Sequence, residues 1–244
     1  MKQSSFEIIE NIPLTADILK MRLKGDTSEI TAPGTFVNIK LDGLFLRRPI
    51  SVCDTEGDVL TVIYKVVGKG TEQMRRMKSG VLDVLTGLGN GYDTTKSGDA
   101  PLLLGGGVGV PPMYMLAKRL IAEGKRVSVI LGFNKESEVF CEDDFRALGA
   151  DVTVTTVDGS YGVRGFVTDA MKNANYTYFY TCGPEPMLKA VHRSSVTSGQ
   201  FSFEERMGCG FGACMGCSCK TVTGYKRICK DGPVLEKEEI LWED

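Results

Sequence analysis

Between Glu205 and Pro233 the chain places five of its eight cysteines, and this stretch constrains the fold more than any other. Cys209, Cys214 and Cys217 follow the spacing C-x4-C-x2-C, and Cys229 comes after a short polar excursion. That is the plant-type spacing for a [2Fe-2S] cluster. Four thiolates must reach two irons, so the backbone has to wrap tightly around a compact inorganic core. Gly208, Gly210, Gly212 and Gly216 interleave the cysteines. Glycine tolerates the backbone angles of such a wrap and lets amide N–H groups approach the sulfurs. A structural zinc site more often shows paired C-x2-C knuckles, and a disulfide knot suits a secreted chain; the spacing favours the cluster over both. Cys219 is surplus to the pattern and reads as a small packed hydrophobe.

The remaining 200-odd residues must then supply the partners of such a centre. With a formal net charge of −2 the chain lacks the basic surface that broad nucleic-acid binding needs. No run of 18 apolar residues occurs, so no membrane span is expected. The N-terminus, MKQSSFEIIENIPL, has no signal-peptide h-region. Clustered cysteines without a secretion signal point to a reducing, cytoplasmic setting.

From Phe6 to about Leu88 the chain reads as short strands, among them 36–41 and 59–66, punctuated by Gly, Pro, Asp and Asn. This is the pattern of an antiparallel β-barrel. One short helix is expected over Thr71 to Lys78, with Thr71 as its N-cap. Two spots stand out. Arg48, Pro49, Ile50 and Ser51 follow Arg47 and offer a guanidinium and a hydroxyl at a strand start, suited to a phosphate and a ring edge. Gly68-Lys69-Gly70-Thr71 opens the helix, and amides at a helix start suit a pyrophosphate. Alone, each is no more than a solvated edge or a turn.

Near Lys96 to Asp99 the period changes to alternating strands and helices. Leu102 to Leu104 is a buried strand running into Gly105, Gly106, Gly107, Val108 and Gly109. A helix follows, with Met113, Leu116, Ala117, Leu120 and Ile121 on one face and Gly124 at its end. Strand, glycine loop and helix start form the dinucleotide-binding arrangement, with proline where a third glycine would stand. Strands are expected over 127–131, 152–157, 176–180 and 201–203, and helices over 142–148, 167–174 and 185–195. Such alternation gives a doubly wound parallel sheet whose cofactor lies at the carboxyl ends of the strands. Cys182, Gly183, Pro184 and Met187 fall at such an end, where Cys182 and Gly183 could floor a nicotinamide ring. His192, the only histidine, is expected on the solvent face of a helix. No P-loop and no convincing general acid or base occurs, so no catalytic residue is assigned.

Taken in order, RRPIS with GKGT, GGGVGVPP with CGPEPM, and the cysteine stretch resemble the ferredoxin-NADP reductase superfamily. Within it, ERMGCGFGACMGCSCKT followed by CKDGPV is similar to the electron-transfer subunit family of dihydroorotate dehydrogenase B, along nearly the whole chain. The resemblance implies a multidomain β plus α/β protein: an FAD-binding β-barrel over 1–97, an NAD-binding α/β domain over 98–203, and a small [2Fe-2S] domain over 204–244. It places FAD against Arg48, Pro49, Ile50, Ser51, Ile63, Tyr64, Lys65, Gly70 and Thr71. It places NAD over Gly105, Gly106, Gly107, Gly109, Cys182, Gly183, Pro184 and Met187. Cys209, Cys214, Cys217 and Cys229 match the cluster ligands, and LGNGY at 88–92 resembles a junction motif. The implied partner is an FMN-containing dihydroorotate dehydrogenase catalytic subunit in a heterotetramer, with electrons passing through the cluster and FAD to NAD+ in pyrimidine biosynthesis. The alternative is the small subunit of a related NAD(P)H:ferredoxin oxidoreductase or sulfide dehydrogenase. A non-catalytic adaptor that keeps only the fold is the reading from another class.

Overall fold

The structure is a computed structural model and describes residues 1–242. Six strands form the first lobe: β1 (Lys2–Pro13), β2 (Ile18–Lys24), β3 (Phe36–Ile39), β4 (Arg48–Glu56), β5 (Val59–Lys65) and β6 (Val81–Leu88). They close a barrel in the order β1-β2-β5-β4-β3-β6, every ladder antiparallel. Strand β2 shows why. Leu19, Met21 and Leu23 are buried and alternate with Lys20, Arg22 and Lys24, so one face fills the barrel and the other meets water. Leu60, Val62 and Tyr64 of β5 do the same.

Helix α1 (Lys69–Arg76) lies between β5 and β6. Its N-cap lies three residues before the expected one. Gly68 takes the N-cap position, and Thr71 sits in the first turn and reaches back. Its Oγ1 accepts from the N–H groups of Val67 at 2.9 Å and Gly68 at 3.2 Å. At the other end Asn11 Nδ2 donates to the carbonyls of Met74 and Met77, both at 2.8 Å, and satisfies groups the helix leaves open.

The second lobe is built from β7 (Pro101–Gly106), α2 (Pro111–Ala122), β8 (Ser128–Phe133), α3 (Glu142–Ala147), β9 (Asp151–Thr156), β10 (Val163–Arg164), α4 (Val167–Met171), β11 (Tyr178–Cys182), α5 (Glu185–Ser194) and β12 (Gly199–Ser202). The sheet order is β10-β9-β8-β7-β11-β12-β15, parallel up to β12. Leu103, Val129 and Leu131 pack against α2 and α3; Leu102, Leu104 and Ile130 face α4 and α5. Helices thus cover both faces, as near-continuous apolar strands require. The order reverses between β7 and β11, which opens a crevice at their carboxyl ends.

The tail contributes a hairpin, β13 (Ser218–Thr221) with β14 (Gly224–Arg227), and then β15 (Val234–Glu236). Strand β15 pairs antiparallel with β12, so the tail completes the edge of the middle sheet rather than standing apart. The expected third segment, 204–244, ends two residues beyond the described ones. His192 is not on a solvent face. It is half-buried, with ring centroids 5.8 Å from both Phe201 and Trp242, because the tail folds back over α5. Among the described residues no helix is long and apolar enough to cross a membrane.

Candidate functional site

Strand β4 begins with four successive half-buried residues, Arg48, Pro49, Ile50 and Ser51, before Val52, Cys53 and Asp54 turn fully inside. A barrel strand that is open on its outer side offers a shelf for a flat ring. The Arg48 guanidinium lies across the start of α1: a Cβ on Gly70 would fall 2.1 Å from Arg48 Nε. Two motifs some twenty residues apart therefore meet, and they bring a fixed cation to helix amides, the two features that hold a pyrophosphate. Strand β5 divides its three candidates. Ile63 is buried toward the second lobe beside Cys53 and Met113. Lys65 is exposed and pairs with Asp17 at 3.2 Å. Tyr64 points into the barrel, where its hydroxyl donates to Asn11 Oδ1 at 3.1 Å. Burial pushes its phenol up to about 12. Only the main chain of Tyr64 can line the outer surface.

The crevice of the second lobe is made by two interlocked loops. A Cβ on Gly106 would meet Met187 Sδ at 2.4 Å, one on Gly105 would meet Val110 Cα at 2.9 Å, and one on Gly109 would meet the Cys182 carbonyl oxygen at 2.1 Å. Gly107 has φ +52° and open space around it, so it is the point at which a ligand can approach the backbone. Gly183 and Pro184 pack against Met187 and Gly106, and burial pushes the Cys182 thiol up to about 12, so it stays a neutral surface. Tyr92, from the junction motif, donates its hydroxyl to the Thr181 carbonyl at 3.0 Å and ties the exit of the barrel to this crevice. After β8, Glu138 accepts from Asn134 Nδ2 at 2.9 Å.

The cysteine loop arranges its thiols as two pairs. Cys209 N–H points at Cys214 Sγ at 3.4 Å, and Cys229 N–H at Cys217 Sγ at 3.4 Å. Ala213 and Phe211 N–H groups point at Cys209 Sγ at 3.2 and 3.5 Å. Gly210 and Gly212 carry φ of +79° and +90°, which makes the wrap possible. Although burial pushes the Cys209 thiol up, those amides and Cys214 bring it down to about 6, so it ionises readily. Cys217 and Cys229 are buried, Cys209 is half-buried and Cys214 is exposed, so the site runs from interior to surface. Two pairs of thiols with amides aimed at sulfur fit a two-iron centre. Cys219 stands opposite Lys226 in the hairpin and, with Gly183, Pro184 and Trp242, lines a cleft of about 390 Å³.

Some contributors have no side-chain signature of their own in the sequence, Asn90 being marked only through the junction motif at 88–92. Arg227 donates to the Gly212 carbonyl at 2.9 Å and pairs with Asp231 at 3.0 Å, which braces the loop. Asn90 hydrogen-bonds the main chain of Val234 in both directions, at 2.8 and 3.0 Å. Asn38 reaches the Cys209 carbonyl from the barrel at 3.2 Å.

Comparison with known proteins decides the family. Residues 204–241 match the iron-sulfur cluster binding domain of dihydroorotate dehydrogenase B, and residues 103–193 match the oxidoreductase NAD-binding domain. The chain is 44% identical to the dihydroorotate dehydrogenase B (NAD(+)), electron transfer subunit of Fusobacterium nucleatum, over 98% of this chain and 99% of that one. The chain belongs to this electron transfer subunit family. The subunit from Bacillus pumilus is 42% identical over 98% of both chains. Among solved structures, an NADH-dependent reduced ferredoxin-NADP oxidoreductase superposes with a TM-score of 0.88 at 29% identity, covering 97% of this chain and 90% of that one. A ferredoxin NADP+ reductase from Neisseria gonorrhoeae, with bound FAD and NADP, shares the fold at 18% identity and a TM-score of 0.70, over 80% of this chain and 90% of that one. The second lobe thus carries the NAD-binding domain, and the tail the iron-sulfur binding domain, of an electron transfer subunit.

Proposed function

We propose that this chain relays electrons from an FMN-containing dihydroorotate dehydrogenase catalytic subunit, through a [2Fe-2S] cluster and FAD, to NAD+ in cytoplasmic pyrimidine biosynthesis, as part of a heterotetramer. The observation that supports this is that single side chains join the barrel to the cysteine loop and to the glycine crevice, in a chain matched over 98% of its length by such a subunit. Asn38 of the barrel touches the cysteine loop, and Tyr92 at the barrel exit touches the nicotinamide crevice. When bound, FAD exchanges electrons singly with an iron–sulfur centre and in pairs with a nicotinamide, which places it between them.

The chain's own residues bind, orient and shield. Arg48, Gly70 and Thr71 would hold the FAD pyrophosphate, while Pro49, Ile50 and Ser51 would line its ring with Ile63 and the main chain of Tyr64 and Lys65. Gly105, Gly106, Gly107 and Gly109 would admit the NAD pyrophosphate, and Cys182 to Met187 would floor its nicotinamide. Glu138 favours NAD over its phosphorylated form. Cys209, Cys214, Cys217 and Cys229 would hold the cluster, with the exposed Cys214 on the side where electrons arrive.

Co-expression with the catalytic subunit should give dihydroorotate-dependent NAD+ reduction. Cys214→Ser should abolish that activity while NADH still bleaches the flavin. A Cys214→Ser complex that still couples dihydroorotate to NAD+ at the parent rate would show the relay order to be wrong. The likeness to the NADH-dependent oxidoreductase structure favours one second reading, a ferredoxin-linked small subunit. Reduction of NAD(P)+ by ferredoxin but not by dihydroorotate would establish it.

A further inference from the structure

Asn38 sits in β3 with 1% of its surface exposed. Its neighbours across the ladders are Pro49 on β4 and Leu85 on β6. Arg47 Nη1 donates to its carbonyl oxygen at 3.2 Å, so the main chain is held from outside the ladder as well. The side chain leaves the barrel wall toward the cysteine loop, where Nδ2 donates to the Cys209 carbonyl oxygen at 3.2 Å. A Cβ on Gly210 would fall 2.3 Å from the same nitrogen, and Gly210 has φ +79°. The loop can come this close only because that residue is glycine. Among the described residues Asn38 Oδ1 is buried without a hydrogen-bond partner. Asparagine is a poor strand former, and an unmet buried acceptor costs about 1–3 kcal/mol. A position needed only to fill space between the barrel and the loop would be better served by leucine. The polar side chain is therefore explained by what it holds.

We propose that Asn38 is a positioning residue for the electron step between flavin and cluster, its amide clamping the Cys209–Gly210 segment onto the strand pair that carries Pro49. This rests on Cys209 as a cluster ligand and Pro49 as a flavin contact. One side chain then spans the gap between the two redox sites, and electron transfer through protein falls steeply with distance. Each NAD+ reduced to NADH takes two electrons and one proton, so two single-electron transfers cross this junction per turnover. Asn38 gains and loses no bond or proton in either; it sets the separation.

The test compares the parent with Asn38→Leu and Asn38→Asp, each purified without air and matched for FAD, iron and acid-labile sulfide. Asn38→Asp keeps the shape and, assayed at a pH high enough to ionise the buried carboxyl, loses the donor and sets a carboxylate against the Cys209 carbonyl. In both variants NADH should bleach the flavin at the parent rate, while cluster reduction slows at least tenfold. The paramagnetic spectrum of the reduced cluster should shift, and amide hydrogen exchange over 209–213 should quicken while that over 228–231 stays unchanged. Parent-like cluster reduction, spectrum and exchange overturn the proposal; if Asn38→Leu does not assemble the cluster, Asn38→Asp decides by the same readouts. Cys209→Ser is prepared alongside. If it retains parent iron content and spectrum, the ligand reading fails and the proposal with it; if it loses them while the Asn38 variants behave like the parent, the proposal alone is overturned.

Discussion

Gly109 admits no side chain, because the atom a Cβ would strike is a main-chain carbonyl, that of Cys182 at 2.1 Å. A flexible neighbour could swing away, whereas this backbone cannot move without parting the two loops of the crevice. Gly109→Ala should weaken NADH binding at least tenfold, about 1.4 kcal/mol, with flavin and iron content at the parent level. Anaerobic titration with NADH checks it. Side-chain direction is where single site residues depart from expectation. Tyr64 was expected among the flavin contacts, but its side chain shares the inner face of β5 with Leu60 and Val62, so only its main chain is left to line the outer wall. Thr71 was legible as a capping hydroxyl but not as one working backward from the first turn, since Gly68 provides no side chain to compete with it. Asn38 showed in the sequence only as a poor strand former within the 36–41 strand, with nothing to name its partner.

At the scale of elements, β15 is held to β12 by three ladder positions and by one carboxylate. Glu236 accepts from Lys96 at 2.6 Å, Gln200 at 2.7 Å and the Tyr178 hydroxyl at 2.8 Å. Burial alone would push its carboxyl up, but these three donors outweigh burial and hold it below the usual carboxylate range. A depressed folded pKa adds stability that is present above the unfolded value, about 4.3 for Glu, and is lost as pH falls through the folded value. Glu236→Gln should therefore destabilise the tail by about 1–3 kcal/mol near neutral pH. The gap between variant and parent should narrow as pH drops below about 4.3. Urea midpoints measured along a descending pH series check the sign. The doubly wound elements were readable from the 3.6-residue face of α2 and the apolar run of β7. The addition of a tail strand to their edge was not, because three residues carry too little periodicity to name a partner.

Across the whole molecule, single side chains join the lobes. Asn90 donates its N–H to the Gly232 carbonyl at 2.7 Å, and its amide pairs with both main-chain groups of Val234, so a residue after β6 acts as a piece of strand for the tail. Lys118 of α2 pairs with Asp54 of β4 at 2.7 Å across the other interface. Asn90→Ala should cost about 1–3 kcal/mol through unmet main-chain groups and speed iron release to a chelator several-fold, while NADH binding stays near the parent level. Unchanged iron release would show that the tail does not depend on this clasp.

The kinds of element and their order were set largely by local pattern. Alternation makes a strand, a glycine loop before a helix frees amides for an anion, and thiols spaced C-x4-C-x2-C suit a cluster, whereas the barrel motifs taken alone were no more than an edge and a turn. Only the folded chain decided which distant groups touch: Asn38 with Cys209, 171 residues apart, and Asn90 with Val234, 144 apart. Such contacts join one side chain to an arbitrary stretch of main chain. Every residue offers the same carbonyl and amide, so the sequence holds no complementary partner to read.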